Sequence, residues 1–241
     1  MSQRRDHAAA AAGIAAAAAG IALMLGRDGR SPLDCETIGV GSIAQPAGAW
    51  SALAIAVAAV WVAATAAETD PDRDHGIALA AAVVGASAFL AHASAAGWAR
   101  RLDGFAVALL SMVVLTALVG GKGRRLRPLS VGTAFVGTAA VAFEPVVGPA
   151  TIAIVAAGIG VAAGAHGRSG RSSVLAFATV TAFGAGGALW YLGRSDGPWC
   201  DPGSLRQPHA AWHLMAALAI TLLVRYLRSG ESQSVTPPTL G

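Results

Sequence analysis

The feature that most constrains this 241-residue chain is a series of apolar stretches, each long enough to cross the hydrocarbon core of a membrane as a helix. Few charges interrupt them, because only 12% of the residues are Asp, Glu, Lys or Arg, about half the fraction usual in a soluble domain. The stretches are rich in Ala, Gly, Val and Leu, and such small residues let membrane helices approach closely. We predict eight helices, at 8–26, 48–67, 76–98, 104–120, 128–143, 147–165, 173–193 and 208–227.

The expected fold class is an all-α, polytopic membrane helical bundle with seven core transmembrane helices and one extra N-terminal helix. Residues 1–30 would hold the extra helix and a short cytoplasmic tail, 31–228 the seven-helix core, and 229–241 a disordered cytoplasmic tail. Arg4 and Arg5 before an Ala-rich segment also fit a cleaved signal peptide, but the apolar segment is longer than a usual signal core and favours an uncleaved helix.

Basic residues give the expected orientation, since cytoplasmic loops of membrane proteins carry an excess of Arg and Lys. The richest such loop runs from Lys122 to Arg127, and placing it inside puts Cys35 and Cys200 outside, where a disulfide can persist. Two unpaired cysteines remain the alternative. We expect a multi-pass protein of the bacterial plasma membrane with its site toward the outer face.

Nucleic acid is excluded as a partner by the distribution of positive charge. The net charge of +4 comes from short clusters between apolar runs, and no stripe of basic residues is present that could follow a phosphate backbone.

Three histidines need an explanation, because ionisable residues in membrane helices are costly and usually functional. His209 and His213 are four residues apart and share one helix face, and His92 lies near the outer end of another predicted helix. Three His ligands with an open position are typical of catalytic zinc. A hydrogen-bonded interhelical pair is the alternative. Asp103, placed at the start of the fourth helix, is either a helix cap or a base acting on a zinc-bound water.

Asp34 and Glu36 flank Cys35 and are a possible calcium site. Calcium takes six to eight oxygen ligands, and two acidic residues supply far fewer. On these residues alone we favour a solvated loop.

The segment Cys200-Asp-Pro-Gly-Ser-Leu-Arg-Gln-Pro-His209-Ala-Ala-Trp-His213 resembles the C-x-P-x-S…Q-x-H-A-x-W-H stretch of the alkaline ceramidase family. Asp34-Cys-Glu36 with Gln45-Pro-Ala-Gly-Ala-Trp-Ser51 is similar to its C-E…P-x-N-x-W-S entry. His92 and Asp103 keep its spacing of eleven residues. The resemblance covers residues 34–228.

This resemblance implies a seven-helix zinc membrane hydrolase related to adiponectin receptors. Its zinc ligands would be His92, His209 and His213, with Asp103 holding or deprotonating the zinc water. The expected reaction is hydrolysis of the amide bond of a ceramide-like N-acyl lipid to a fatty acid and an amine base. The expected partners are this lipid substrate and the lipid bilayer, and the oligomeric state stays open.

The family's remaining features map less completely. Its disulfide would join Cys35 and Cys200, and its calcium site maps only onto Glu36 and Asp34. Its loop asparagine is replaced by Gly48.

The catalytic serine of the family is also displaced. It stands four residues before the first His, where this chain has Ala88, and the nearest serine is Ser87, five residues before His92. Five residues rotate a side chain about 140° from the His, against about 40° for four. Ser87 would donate to the oxyanion if a bulge or π-turn linked to Gly85 re-phases the helix.

Two rival functions belong to other classes. A seven-helix receptor or structural membrane protein would use a non-catalytic zinc only to hold helices together. An ion or proton transporter is less favoured, because it needs ionisable groups that continue through the midplane.

Overall fold

The computed structural model describes residues 34–68, 70–119 and 172–230, and the regular elements of these segments are α-helices. Each helix is long and apolar enough to cross a membrane, so the described part of the chain indicates a membrane-embedded, all-helical protein. The five helices are α1 (Pro46–Ala64), α2 (Pro71–Ser94), α3 (Gly97–Val119), α4 (Ser173–Leu192) and α5 (Pro208–Ser229).

These five helices match five of the eight predicted ones. The predicted helices at 8–26, 128–143 and 147–165 lie outside the described residues, as do segment 1–30 and residues 231–241. The count of seven core helices therefore stays a prediction.

The boundary between α2 and α3 differs from the sequence prediction. The predicted helix at 76–98 is wrong at its end, because α2 stops at Ser94 and Ala95 takes a left-handed conformation with φ of 52°. The Ala95 N–H closes α2 by donating to the carbonyl of Ala91. Since α3 already begins at Gly97, Asp103 lies inside that helix. The expectation that Asp103 opens a helix is wrong, and a capping role does not apply.

The described helices pack side by side in the spatial order α3, α2, α1, α5, α4. Glycines allow two of these contacts. A Cβ on Gly85 of α2 would lie 2.8 Å from the backbone nitrogen of Ala56 in α1, and one on Gly186 of α4 would lie 2.7 Å from the ring of Trp212 in α5. This is the close backbone approach that small residues permit in membranes.

A buried ionic cluster ties α1, α2 and α5 together at one end. Asp74 is fully buried and pairs with Arg73 and with Arg228, both at 2.8 Å. Arg228 also donates to the hydroxyl of Thr65 at 3.2 Å. The sequence predicts a loop over 68–74, but α2 already begins at Pro71. Nothing in the sequence shows which of the several acids in this segment is buried.

The histidines lie at the other end of the same helices. Asp74 and His92 stand near opposite ends of α2, and Arg228 and His209 near opposite ends of α5. At 1.5 Å per residue these separations are about 27 Å, close to the roughly 30 Å hydrocarbon core of a bilayer. The two polar clusters therefore lie toward opposite faces of the membrane.

Candidate metal centre

Three histidines from two helices come together at one end of the bundle. His92 lies in the last turn of α2, and His209 and His213 lie one turn apart at the start of α5. One nitrogen from each lies within 4.8 Å of the others, and the Nε2 atoms of His92 and His209 are 3.1 Å apart. Two nitrogens on one tetrahedral zinc, each bonded at about 2.0–2.1 Å, would be about 3.3 Å apart. This buried group could therefore bind a metal ion.

The segment before α1 and the loop before α5 are linked to each other next to the histidines. Cys35 and Cys200 lie at disulfide-bonding distance, with their Cα atoms 5.3 Å apart. The backbone N–H and the hydroxyl of Thr37 both donate to the carbonyl of Pro202, at 3.2 and 3.1 Å. These contacts hold the segment before α1 against the loop that leads into α5 and its two histidines.

Asp34 belongs to the histidine group. Its Oδ1 lies 3.0 Å from Nδ1 of His209, and its Oδ2 lies 3.8 Å from Nδ1 of His92. Burial by itself would raise the pKa of Asp34, but His209, His92 and Arg100 together lower it more, so the pKa lies below its ordinary value. Asp34 is thus an ionised carboxylate beside the histidines.

Glu36 has a structural position at the start of α1. Its two carboxylate oxygens accept from the backbone N–H groups of Ala47 and Gly48, at 2.8 and 2.9 Å. These are free donors of the first helical turn, and a negative charge is favourable there. Neither this contact nor that of Asp34 supports calcium, so a calcium site stays a prediction. In the described ranges, the group of His, Cys, Asp and Glu found at metal-binding distances is the three-histidine one.

Ser87 meets Asp103 across the α2–α3 contact. The buried Ser87 hydroxyl lies 3.0 Å from Oδ1 of Asp103, to which it donates, and 3.1 Å from the carbonyl of Val84. The segment around Ser87 is regular α-helix without a π-turn, so no re-phasing is needed for this contact. Ser87 lies in α2 five residues before His92, and Asp103 lies near the start of α3. The Ser87–Asp103 pair therefore lies toward the same end of the helices as the histidines.

The sequence gives no sign of two residues that contact the histidines. Oε1 of Gln45 lies 3.0 Å from Nδ1 of His92, and Oγ of Ser51 lies 2.8 Å from Nδ1 of His213. Both belong to the segment that resembles the family's entry motif, but their spacing does not reveal a partner in another helix. Gly48 lies between them, and a Cβ there would be 2.6 Å from Nδ1 of His92. The missing side chain lets His92 pack directly on α1.

Comparison with known proteins finds no family model and no curated protein that matches this chain. The resemblance to alkaline ceramidases accordingly stays a prediction.

Proposed function

We propose that this protein is a zinc-dependent membrane amidase that hydrolyses the amide bond of an N-acyl lipid. The observation that carries the proposal is a buried group of His92, His209 and His213 at one end of apolar helices, with the Ser87–Asp103 pair toward the same end. A zinc ion held by these three imidazoles alone would keep a fourth position for water, as catalytic sites require.

The side chains near the histidines have roles that suit amide hydrolysis. A zinc ion held by the three histidines would supply an activated water and would polarise the scissile carbonyl. We assign to Asp103 the transfer of a proton from the attacking water to the leaving amine. Ser87 donates to Oδ1 of Asp103, which leaves Oδ2 as the oxygen we assign to the proton. This contact favours Ser87 as a positioning residue over the oxyanion role that the resemblance implies.

The depth of the site suggests the substrate class. The histidines lie at helix ends, where the amide of an amphipathic lipid would reside while its chains stay in the hydrocarbon. The resemblance adds ceramide as the model substrate, with a fatty acid and a sphingoid base as products. The distribution of basic residues and the cysteine pair favour the outer face of a bacterial plasma membrane.

Fatty-acid release from a ceramide by the purified protein tests this proposal. We expect release that a zinc chelator abolishes, that added zinc restores, and that His213→Ala lacks. His75→Ala is the matched control, because His75 is exposed at the far end of α2. Activity that resists the chelator, or full activity in His213→Ala, would contradict the proposal.

Asp34 supports a second candidate, a receptor or structural protein whose metal only joins helices. Its carboxylate lies 3.0 Å from His209, close enough for a small shift to make it a fourth protein ligand, and closed four-ligand sites are structural. A structure of the zinc-loaded protein separates the two: water in the fourth position favours the hydrolase, and Asp34 there favours the structural role.

A further inference from the structure

Each of the three histidine rings meets, through its Nδ1 atom, a side chain from one short segment of the chain. Gln45 contacts His92 at 3.0 Å, Ser51 contacts His213 at 2.8 Å, and Asp34 faces His209 at 3.0 Å. We name Asp34, Gln45 and Ser51 the N-terminal clamp. The histidines come from α2 and α5, whereas the clamp comes from the loop before α1 and the first turns of α1.

The proton on His92 follows from the contacts of Gln45. The side-chain nitrogen of this fully buried residue donates to the carbonyl of Glu36 at 2.7 Å. The other end of the amide, which meets His92, is therefore its oxygen. Because an amide oxygen only accepts hydrogen bonds, Nδ1 of His92 must carry the proton.

The proton on His213 follows in the same way from Ser51. A serine hydroxyl has one hydrogen to donate, and we assign that of Ser51 to the carbonyl of Gly48, which lies 3.0 Å away and can only accept. Ser51 can then only accept from His213, so Nδ1 of His213 is protonated. Asp34 acts likewise on His209, because a carboxylate favours a proton on the nitrogen that faces it. The contact between Asp34 and His209 has the distance of an ion pair but does not have the geometry of a hydrogen bond.

With the protons on Nδ1, the Nε2 atoms carry lone pairs. The Nε2 atoms of His92 and His209 are 3.1 Å apart. Two nitrogens that both carry lone pairs repel each other at this distance unless they share a cation. We infer that Asp34, Gln45 and Ser51 are positioning residues that turn the three Nε2 lone pairs toward one metal ion. The inference rests on the metal site of the proposed function and adds the residues that prepare it.

Zinc affinity of the full-length protein, measured by competition with a chelating dye, tests the clamp without using activity. For Ser51→Ala, Gln45→Leu and Asp34→Asn we expect affinity about 10- to 100-fold weaker, as is typical when a partner of a metal-bound histidine is lost. The visible absorption spectrum of the cobalt-substituted protein should change in the same variants. Ser51→Thr, which keeps the hydroxyl, should recover both properties.

Matched controls lie outside the clamp. Ser111→Ala removes a hydroxyl that bonds only within α3, and Asp201→Asn changes an exposed loop carboxylate. Both should leave zinc affinity and the cobalt spectrum unchanged.

The outcomes separate the clamp from the proposed function. Wild-type affinity and an unaltered cobalt spectrum in all three clamp variants would overturn the inference. A loss of zinc affinity in Ser51→Ala would also overturn it if Ser51→Thr does not recover the affinity and the metal-free variant unfolds at a lower temperature. If zinc affinity depends on the clamp residues but the wild-type protein hydrolyses no N-acyl lipid, the proposed function alone would be refuted. Wild-type protein that binds no zinc would overturn both.

Discussion

Gly48 is the residue on which the position of His92 depends most directly. A Cβ at this position would lie 2.6 Å from Nδ1 and 2.7 Å from Cγ of the His92 ring. Both the ring and the backbone beneath it are buried, so the histidine has little room to move away. The absent side chain is therefore part of the candidate metal centre.

We expect Gly48→Ala to lower zinc affinity by about tenfold or more, because the new methyl group displaces the His92 ring from its partner Gln45. Gly104→Ala is the matched control, since a Cβ there meets nothing within 4 Å. Competition titration measures both variants. Equal affinities would show that His92 can relax without cost.

Asp103 should govern the chemical step and not metal binding. For Asp103→Asn we expect kcat to fall by about 10²- to 10⁴-fold, the usual contribution of a general base, with zinc affinity within a few-fold of wild type. Ser87→Ala should lower kcat less, since it removes only the support of Oδ1. Steady-state hydrolysis of a ceramide measures both, and unchanged kcat in Asp103→Asn would refute the assigned role.

At the scale of single residues, the sequence reveals the three histidines better than the side chains that contact them. The spacing of His209 and His213 within one helix is enough to place both on one face. The contacts of Asp34, Gln45 and Ser51 depend on how three helices pack, and nothing local signals them. Asp34 next to a cysteine suggests a loop acid, and only tertiary packing places it beside His209.

The boundary between α2 and α3 could not be predicted from the sequence. The apolar pattern continues through Ala95 and Ala96, so composition alone extends α2 to 98, whereas the left-handed Ala95 ends it. The reversal sets the register of the two helices. Ser87 and Asp103 each lie about 10 Å along their helices from the turn at 1.5 Å per residue, and so they meet.

Glycine contacts between helices predict a stability difference. We expect Gly85→Ala to lower the unfolding temperature, because its Cβ would meet the backbone of α1 at 2.8 Å and such overpacking costs about 1–3 kcal/mol. Gly76→Ala, also in α2, meets nothing within 4 Å and should leave stability unchanged or raised. Thermal unfolding in detergent followed by circular dichroism compares them. A more stable Gly85→Ala would show that α1 and α2 separate easily.

At the scale of the whole molecule, two buried polar clusters stabilise opposite ends of one helical framework. The ionic cluster of Asp74, Arg73 and Arg228 has no place in the proposed chemistry. It holds together the ends of α1, α2 and α5, and the histidines join α2 and α5 at the other end. Apolar residues such as Val57, Val60 and Phe177 are exposed on the outside of the described helices, as lipid contact requires.

Removing the charge of Asp74 should destabilise the protein without changing the metal centre. For Asp74→Asn we expect a loss of up to about 3–5 kcal/mol in the free energy of unfolding, because two partly buried guanidinium groups lose their buried counter-charge. Zinc affinity should not change, since the site is about 27 Å away along α2 at 1.5 Å per residue. Asp72→Asn is the control at an exposed neighbouring position. Denaturant titration and zinc competition measure the two effects, and weaker zinc binding would show that the ends are coupled.

Loss of the cysteine pair should affect both stability and the clamp. Cys35 adjoins Asp34 and Glu36, so a Cys35→Ala, Cys200→Ala double variant frees the clamp segment from the loop before α5. We expect a lower unfolding temperature, with a loss in the range of about 2–5 kcal/mol, and several-fold weaker zinc binding. Calorimetry and competition titration follow these changes. Unchanged zinc affinity would show that the Thr37–Pro202 contacts are sufficient to hold the segment.

Because only two residues connect α2 and α3, the number of residues between His92 and Asp103 determines whether Asp103 can meet Ser87. One residue inserted between Gly97 and Asp103 would turn the Asp103 side chain by about 100° about the axis of α3 and shift it by about 1.5 Å, which carries its carboxylate away from Ser87. A connection of two residues has little slack with which the turn could compensate for such a change. A related chain that retains this chemistry must therefore preserve the interval of eleven residues between His92 and Asp103 as strictly as it preserves the two side chains.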